Sequence, residues 1–190
     1  MSLKSGAPLP PPLPPPRDAS RPYLVCCVCL GNICRSPMAE VVLRAQLDAA
    51  GLAAKVLVDS AGTGDWHVGE PMNVRARDQL ERRGYDGSAH RARQFDPRWL
   101  AERDLLLAMD NSNLATLRAL AARGAGDTAA GAGPRIRLFG EVAGFGGADV
   151  PDPYGGSPVE FARVLDMLET GMARLTAQLR ALVSAPAGER

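Results

Sequence analysis

The sequence predicts a single three-layer α/β domain, a parallel sheet covered by helices on both faces. Three observations lead there. Short apolar runs alternate with segments of helical patterning, which is the signature of strands linked by crossover helices. The runs are continuously apolar, as in strands buried on both faces. A length of 190 residues, with 46% apolar and 23% charged content, suits one hydrophobic core.

The first run is Tyr-Leu-Val-Cys-Cys-Val, residues 23–28, read as a buried strand. A loop follows through Arg35. Ser36 then suits a helix N-cap and Pro37 its first position, and the helix extends to about Ala50, where Gly51 stops it. Residues 55–59 form a second strand, and 74–83 a polar helix ended by Gly84. Asp96-Pro97 opens a short helix, the apolar run 104–109 is a third strand, and 111–123 is helical. Residues 124–133 are rich in Gly and Ala and read as a flexible surface loop. Residues 135–139 make a fourth strand. Ser157-Pro158-Val159-Glu160 is a capping box that launches a long amphipathic helix ending near Val183.

Residues 22–184 are therefore expected to form the domain. Residues 1–21, with prolines at 8, 10–12 and 14–16, have the composition of a solvated, disordered tail, and 185–190 of a flexible end. A polyproline stretch can also serve as a ligand for an aromatic-lined groove. The N-terminus lacks the apolar core of a signal peptide, and no stretch is long enough to cross a bilayer. A formal charge of +1 supplies no global field to recruit nucleic acid or an anionic membrane. Any affinity for phosphate must be local.

All four cysteines lie at positions 26, 27, 29 and 34. A disulfide-stapled secreted domain would spread them along the chain, so the clustering points to local chemistry in a reducing, cytoplasmic setting. Beyond Cys34 only His67 and His90 remain as soft ligands, too few for a structural zinc site. No metal or other cofactor is expected.

The informative segment is Cys29-Leu30-Gly31-Asn32-Ile33-Cys34-Arg35-Ser36. It joins a strand to a helix N-terminus, where converging backbone N–H groups and the helix dipole form an anion cradle. Gly31 and Asn32 tolerate the left-handed angles that a tight ring of inward amides requires. Positive potential at the ring favours a thiolate on Cys29, which can attack phosphorus. Arg35 can hold two phosphoryl oxygens in its planar fork, and Ser36 can donate to the sulfur. Cys26 and Cys27, on the strand itself, read as small core residues. A departing phenolate needs a proton, and Asp152, stiffened between Pro151 and Pro153, is the candidate general acid. Taken alone, an Asp-Pro pair marks no more than a turn.

Residues 29–37 together with Asp152-Pro153-Tyr154 closely resemble the low-molecular-weight protein tyrosine phosphatase family. Asp59-Ser60-Ala61-Gly62-Thr63, His90-Arg91-Ala92-Arg93-Gln94 and Met109-Asp110-Asn111-Ser112-Asn113 extend the likeness over about residues 22–183. The resemblance implies a four-stranded parallel sheet in flavodoxin-like order. It also implies two chemical steps without a metal: Cys29 takes the phosphoryl group while Asp152 protonates the leaving group, then Asp152 activates water. By the same resemblance Asn32, Ser36, Ser60 and His90 hold the loop in shape. Leu30, Gly31, Ile33 and Cys34 join them in the phosphate loop, and Trp66 and Tyr154 sandwich the substrate ring. Many relatives carry a second aromatic after Asp-Pro-Tyr; Gly155-Gly156 stand here instead and imply a more open, mobile rim.

A reversible Cys29–Cys34 disulfide is a further expectation, since both thiols share the loop. The expected partner is a phosphotyrosine-containing protein, met by a monomer or weak dimer. Three other functions share features with this pattern. A thiol arsenate reductase needs resolving cysteines downstream, and none follows Cys34. An arginine-phosphate phosphatase resembles this scaffold but tends to carry threonine where Ile33 stands. A non-catalytic phosphotyrosine-binding module would be expected to lose the nucleophile or the acid, and both are present.

Overall fold

The computed structural model describes residues 10–123 and 135–184. Four parallel strands, β1 (Tyr23–Cys29), β2 (Val56–Gly62), β3 (Leu105–Ala108) and β4 (Ile136–Leu138), lie in the order β2-β1-β3-β4. The helices are α1 (Arg35–Ala49), α2 (Val74–Arg82), α3 (Trp99–Glu102), α4 (Asn111–Arg123), α5 (Phe139–Val142) and α6 (Pro158–Ser184). The expected three-layer arrangement and strand order are both present.

Strand periodicity divides the core in two. Val25, Cys27, Leu105 and Leu107 point to the face packed by α1 and α6, among Met38, Val42, Phe161, Leu165 and Leu168. Cys26, Val28, Leu106 and Ala108 point to the other face, with Leu114 and Leu117 of α4 and Leu100 of α3. Both faces are buried, which explains why β1 and β3 read as unbroken apolar runs.

Several boundaries differ from expectation. β2 continues through Gly62, because its residues pair with β1 as far as Cys29. Phe139 leaves β4 and begins α5, where it is fully buried. One half of the capping box forms: Glu160 Oε2 accepts from the Ser157 amide at 2.6 Å and from Ser157 Oγ at 3.0 Å, while the Glu160 amide turns to the Ser157 carbonyl at 3.1 Å. The expected loop at 124–133 and the end at 185–190 lie outside the described residues.

Residues 10–21 differ most from the solvated tail expected of their composition. They carry no helix or strand, yet lie against the N-terminal ends of the strands. Pro14 is buried and its carbonyl accepts from Tyr23 Oη at 2.9 Å; Leu13 packs against the main core. Arg17 donates from Nε to Arg103 O (2.9 Å), from Nη2 to Leu100 O (2.7 Å) and from its amide to Asp104 Oδ1 (2.6 Å). Arg135 Nη1 donates to Pro15 O at 2.8 Å. The carbonyls of Pro14 and Pro15 accept two of these bonds and Arg17 donates the other three, and together they dock the stretch.

Candidate active site

Strand order reverses between β1 and β3, and such sheets bind ligands in the crevice beyond the strand ends at that point. β1 ends there at Cys29, and α1 begins at Arg35. The segment carrying Asp152 arrives from the other side: the Met109 amide bonds to Val28 O (2.9 Å) and the Val150 amide to Met109 O (2.8 Å). Cys29, Leu30, Gly31, Ile33, Cys34, Arg35, Trp66, His67, Asp152 and Tyr154 line one cleft of about 150 Å³. A larger groove of about 540 Å³ runs along β2 and α1, but it holds neither a cysteine nor a histidine.

Asn32 shapes the loop between Cys29 and Arg35. Among the described residues it is the only non-glycine with positive φ, at 54°. Its Nδ2 donates to Ser36 Oγ and Ser60 Oγ, both at 2.9 Å, and its Oδ1 accepts from the Arg93 amide at 2.9 Å. Its carbonyl pairs with His90 Nε2 at 2.7 Å. Burial lowers the His90 pKa, so the ring is neutral near pH 7 and Nε2 carries the proton it donates. Ser60 in turn donates to Glu40 Oε2 at 2.6 Å. Gly62 sits directly behind the loop, where a Cβ would meet Leu30 O at 2.7 Å, so only glycine allows that approach.

Cys29 lies at the base of the cleft, 3% exposed, with Sγ 2.9 Å from Ser36 Oγ. Ser36 Oγ also lies 3.3 Å from Ala61 O. Two proton arrangements are therefore available. A Cys29 thiol donates to Ser36, whose hydroxyl points to Ala61; a thiolate accepts the Ser36 proton instead. This use of Ser36 explains why it is not the helix cap. Cys34 occupies that position, with no side-chain cap, and Ser36 lies within the first turn of α1. Burial first, then the neighbouring charges of Cys29 and Asp152, push the Cys34 thiol up to about 12. Cys26 and Cys27 are raised by full burial. All four thiols are free.

Arg35 is 3% exposed and held by two carboxylates, Asp110 Oδ2 (2.5 Å) and Asp152 Oδ2 (2.8 Å). Its Nε is buried without a hydrogen-bond partner among the described residues. Asp110 also accepts from the Asn113 amide at 2.7 Å, so one side chain caps α4 and orients Arg35. Trp66 folds over Gly64, where a Cβ would overlap its ring, and His67 faces Tyr154 with ring centroids 6.2 Å apart. The Tyr154 amide donates to Asp152 Oδ1 at 3.2 Å. The rim at Gly155-Gly156, expected to be mobile, is tied instead. Arg75 Nη1 donates to Gly156 O at 2.8 Å, and the Gly156 amide to Pro153 O at 2.8 Å.

Every sequence-predicted site residue thus lies in the cleft or in the network directly behind it. Glu40, Gly62, His67, Arg75 and the role of Asp110 were missed. Gly62 and Asp110 stood in runs already singled out for their resemblance; the others are ordinary residue types whose position only folding reveals.

Residues 24–185 match the family model described as Low molecular weight phosphotyrosine protein phosphatase. The chain belongs to this family. The low molecular weight protein-tyrosine-phosphatase of Streptomyces coelicolor is 44% identical over 158 residues, covering 83% of this chain and 94% of that protein. Among solved structures of the phosphatase fold, an Entamoeba histolytica protein tyrosine phosphatase with Hepes in its active site superposes with a TM-score of 0.75. It shares 31% identity and covers 84% of this chain and 97% of its own. The YwlE arginine phosphatase, solved with a phosphorylated active-site serine, gives 0.73 at 26% identity, over 83% and 96% of the two chains.

Proposed function

We propose that this member of the family hydrolyses phosphotyrosine in proteins, and small aryl phosphates, through a phosphocysteine formed on Cys29. The observation that carries the reading is that Cys29, Arg35 and Asp152 line one cleft, with Asp152 bound to Arg35 and the buried Arg35 Nε left without a partner among the described residues. A buried N–H without an acceptor costs about 1–3 kcal/mol. A phosphoryl oxygen is an acceptor of the right charge for it.

In the first step Cys29 Sγ attacks phosphorus and the P–O bond to the tyrosine breaks. The leaving oxygen takes its proton from Asp152. Water then attacks the phosphocysteine, Asp152 accepts the water's proton, and the P–S bond breaks to release phosphate. The departing thiolate is stabilised by the Ser36 hydroxyl. The backbone amides of residues 30–35 and the Arg35 guanidinium meet the charge on the equatorial oxygens. Asp110 keeps Arg35 oriented. Trp66, His67 and Tyr154 form the walls that a long aromatic stem fits. Ile33, an apolar side chain on the cleft lining, favours that stem over a polar guanidinium and makes phosphoarginine the weaker substrate. Free, clustered cysteines support a reducing compartment as the place of action.

The test uses two aryl phosphates of different leaving-group ability. Cys29→Ser should reduce turnover of both to background while phosphate or vanadate still binds. Asp152→Ala should slow phenyl phosphate by roughly 10²- to 10⁴-fold and p-nitrophenyl phosphate far less. Equal slowing of both would remove Asp152 from the acid role.

A further inference from the structure

Asp152 takes its place from the segment that precedes it, and that segment is tied down by residues outside the cleft lining. Val150 is fully buried and bonded on both sides. Its amide donates to Met109 O at 2.8 Å, and its carbonyl accepts from Arg35 Nη1 at 3.3 Å. Downstream, Asp152 Oδ1 accepts from the Tyr154 amide and Oδ2 from Arg35 Nη2. Upstream the tie is a side chain: Asp149 Oδ1 accepts from the Asn111 amide at 3.0 Å and from Asn111 Nδ2 at 2.8 Å.

This clasp sets a carboxylate on the first residue of α4, where free amides and the helix dipole favour negative charge. Asp110 satisfies the Asn113 amide at the same helix end and is itself held by Arg35. Asp149 satisfies the Asn111 amide from 38 residues further along the chain. Three successive residues at the end of β3 thus hold three parts of the site: Met109 holds Val150, Asp110 holds Arg35, and Asn111 holds Asp149. The first is a backbone bond that any residue type supplies, and the second belongs to the grip on Arg35 already described. The third needs these two side chains.

We infer that Asn111 and Asp149 are positioning residues for the general acid, fixing where the segment before Asp152 starts and so where its carboxyl group meets the leaving oxygen. The inference rests on the phosphatase reading above and deepens it. The two bonds of Val150 hold the segment in place but leave it free to swing about them, and the clasp at Asp149 removes that freedom. Pro151 and Pro153 fix their own φ and restrict Val150 and Asp152 before them, so a displacement at Asp149 is carried on to the carboxylate.

Phenyl phosphate and p-nitrophenyl phosphate provide the test, because only the poorer leaving group depends strongly on the acid. Asn111→Ala and Asp149→Ala should each lower kcat/KM for phenyl phosphate about tenfold and for p-nitrophenyl phosphate less than about twofold. Inhibition by phosphate should stay as it is, since Cys29, the phosphate loop and Arg35 keep their partners. The two losses should not add, because both substitutions remove one contact. Asn111→Asp sets a second carboxylate against Asp149 and should be the slowest single variant on phenyl phosphate. Adding Asp149→Asn restores a donor to the pair and should recover most of that loss. Equal slowing of both substrates, additive losses, a double variant as slow as Asn111→Asp, or unchanged phenyl phosphate turnover whatever the Tm would each overturn the inference with the phosphatase reading intact. Failure of the unsubstituted chain to hydrolyse p-nitrophenyl phosphate would instead sink that reading and the inference with it.

Discussion

Asn32 holds a left-handed backbone angle that costs a side-chain-bearing residue about 1–2 kcal/mol. Its buried amide offsets that cost with two donated bonds, to Ser36 and Ser60, and one accepted from Arg93. The two terms can be separated by substitution. Asn32→Gly relieves the strain and loses the bonds; Asn32→Ala loses the bonds and keeps the strain. Both should weaken phosphate inhibition and lower kcat/KM, because Ser36 loses the donor that orients its hydroxyl toward Cys29. Thermal unfolding should place the alanine variant about 1 kcal/mol below the glycine variant. Equal stability would mean that the angle relaxes when the amide is removed, and that the surrounding loop does not impose it.

The segment 150–157 brings the carboxylate of Asp152 against Arg35, and its stiffness comes from two sources of different legibility. Pro151 and Pro153 announce theirs in the sequence. The tie from Arg75 to Gly156 does not, since nothing in a polar helix marks which arginine will reach across to a loop 81 residues away. An exposed hydrogen bond of this kind is worth about 0.5–1.5 kcal/mol. Arg75→Ala should therefore slow phenyl phosphate by about 2- to 10-fold, through looser placement of Asp152, and shift inhibition by phosphate little. A loss confined to KM would assign Arg75 to substrate contact instead. The same distinction explains what the elements revealed in advance. Apolar runs marked β1 and β3, and the capping box marked α6, because each depends on neighbours in sequence. The start of α1 was misread because Ser36, a good cap by type, spends its hydroxyl on Cys29 and Asn32. Glu40, Gly62 and His67 became part of the site only when β2 paired with β1 and the loop after it folded back.

The sheet has two ends with different tasks, and the chain is anchored at the end away from the chemistry. Residues 10–21 precede the part that matches the family, at 24–185, and engage the starts of β1, β3 and β4. Asp104, 4% exposed, is the node: it accepts from the Arg17 amide and from the Leu24 amide (2.8 Å), with Arg135 Nη1 at 3.6 Å. Ordering this stretch costs less than for most sequences, because its prolines have little backbone freedom to lose. The five hydrogen bonds it makes with Tyr23, Leu100, Arg103, Asp104 and Arg135 contribute about 0.5–1.5 kcal/mol each before that cost is subtracted. A net loss of about 1–3 kcal/mol is the expected result of deleting residues 1–21, and at this size that lowers Tm by about 2–12 °C. Turnover of p-nitrophenyl phosphate at 25 °C should not change, because Cys29, Arg35 and Asp152 are held from the opposite strand ends. Arg17→Ala in the full chain should reproduce part of the Tm shift, since it removes the two bonds from Nε and Nη2 and keeps the amide bond to Asp104. An unchanged Tm in both variants would show that the segment rides on the domain without stabilising it. A fall in kcat with an unchanged Tm would reveal instead a mechanical link from the base of the sheet to the cleft.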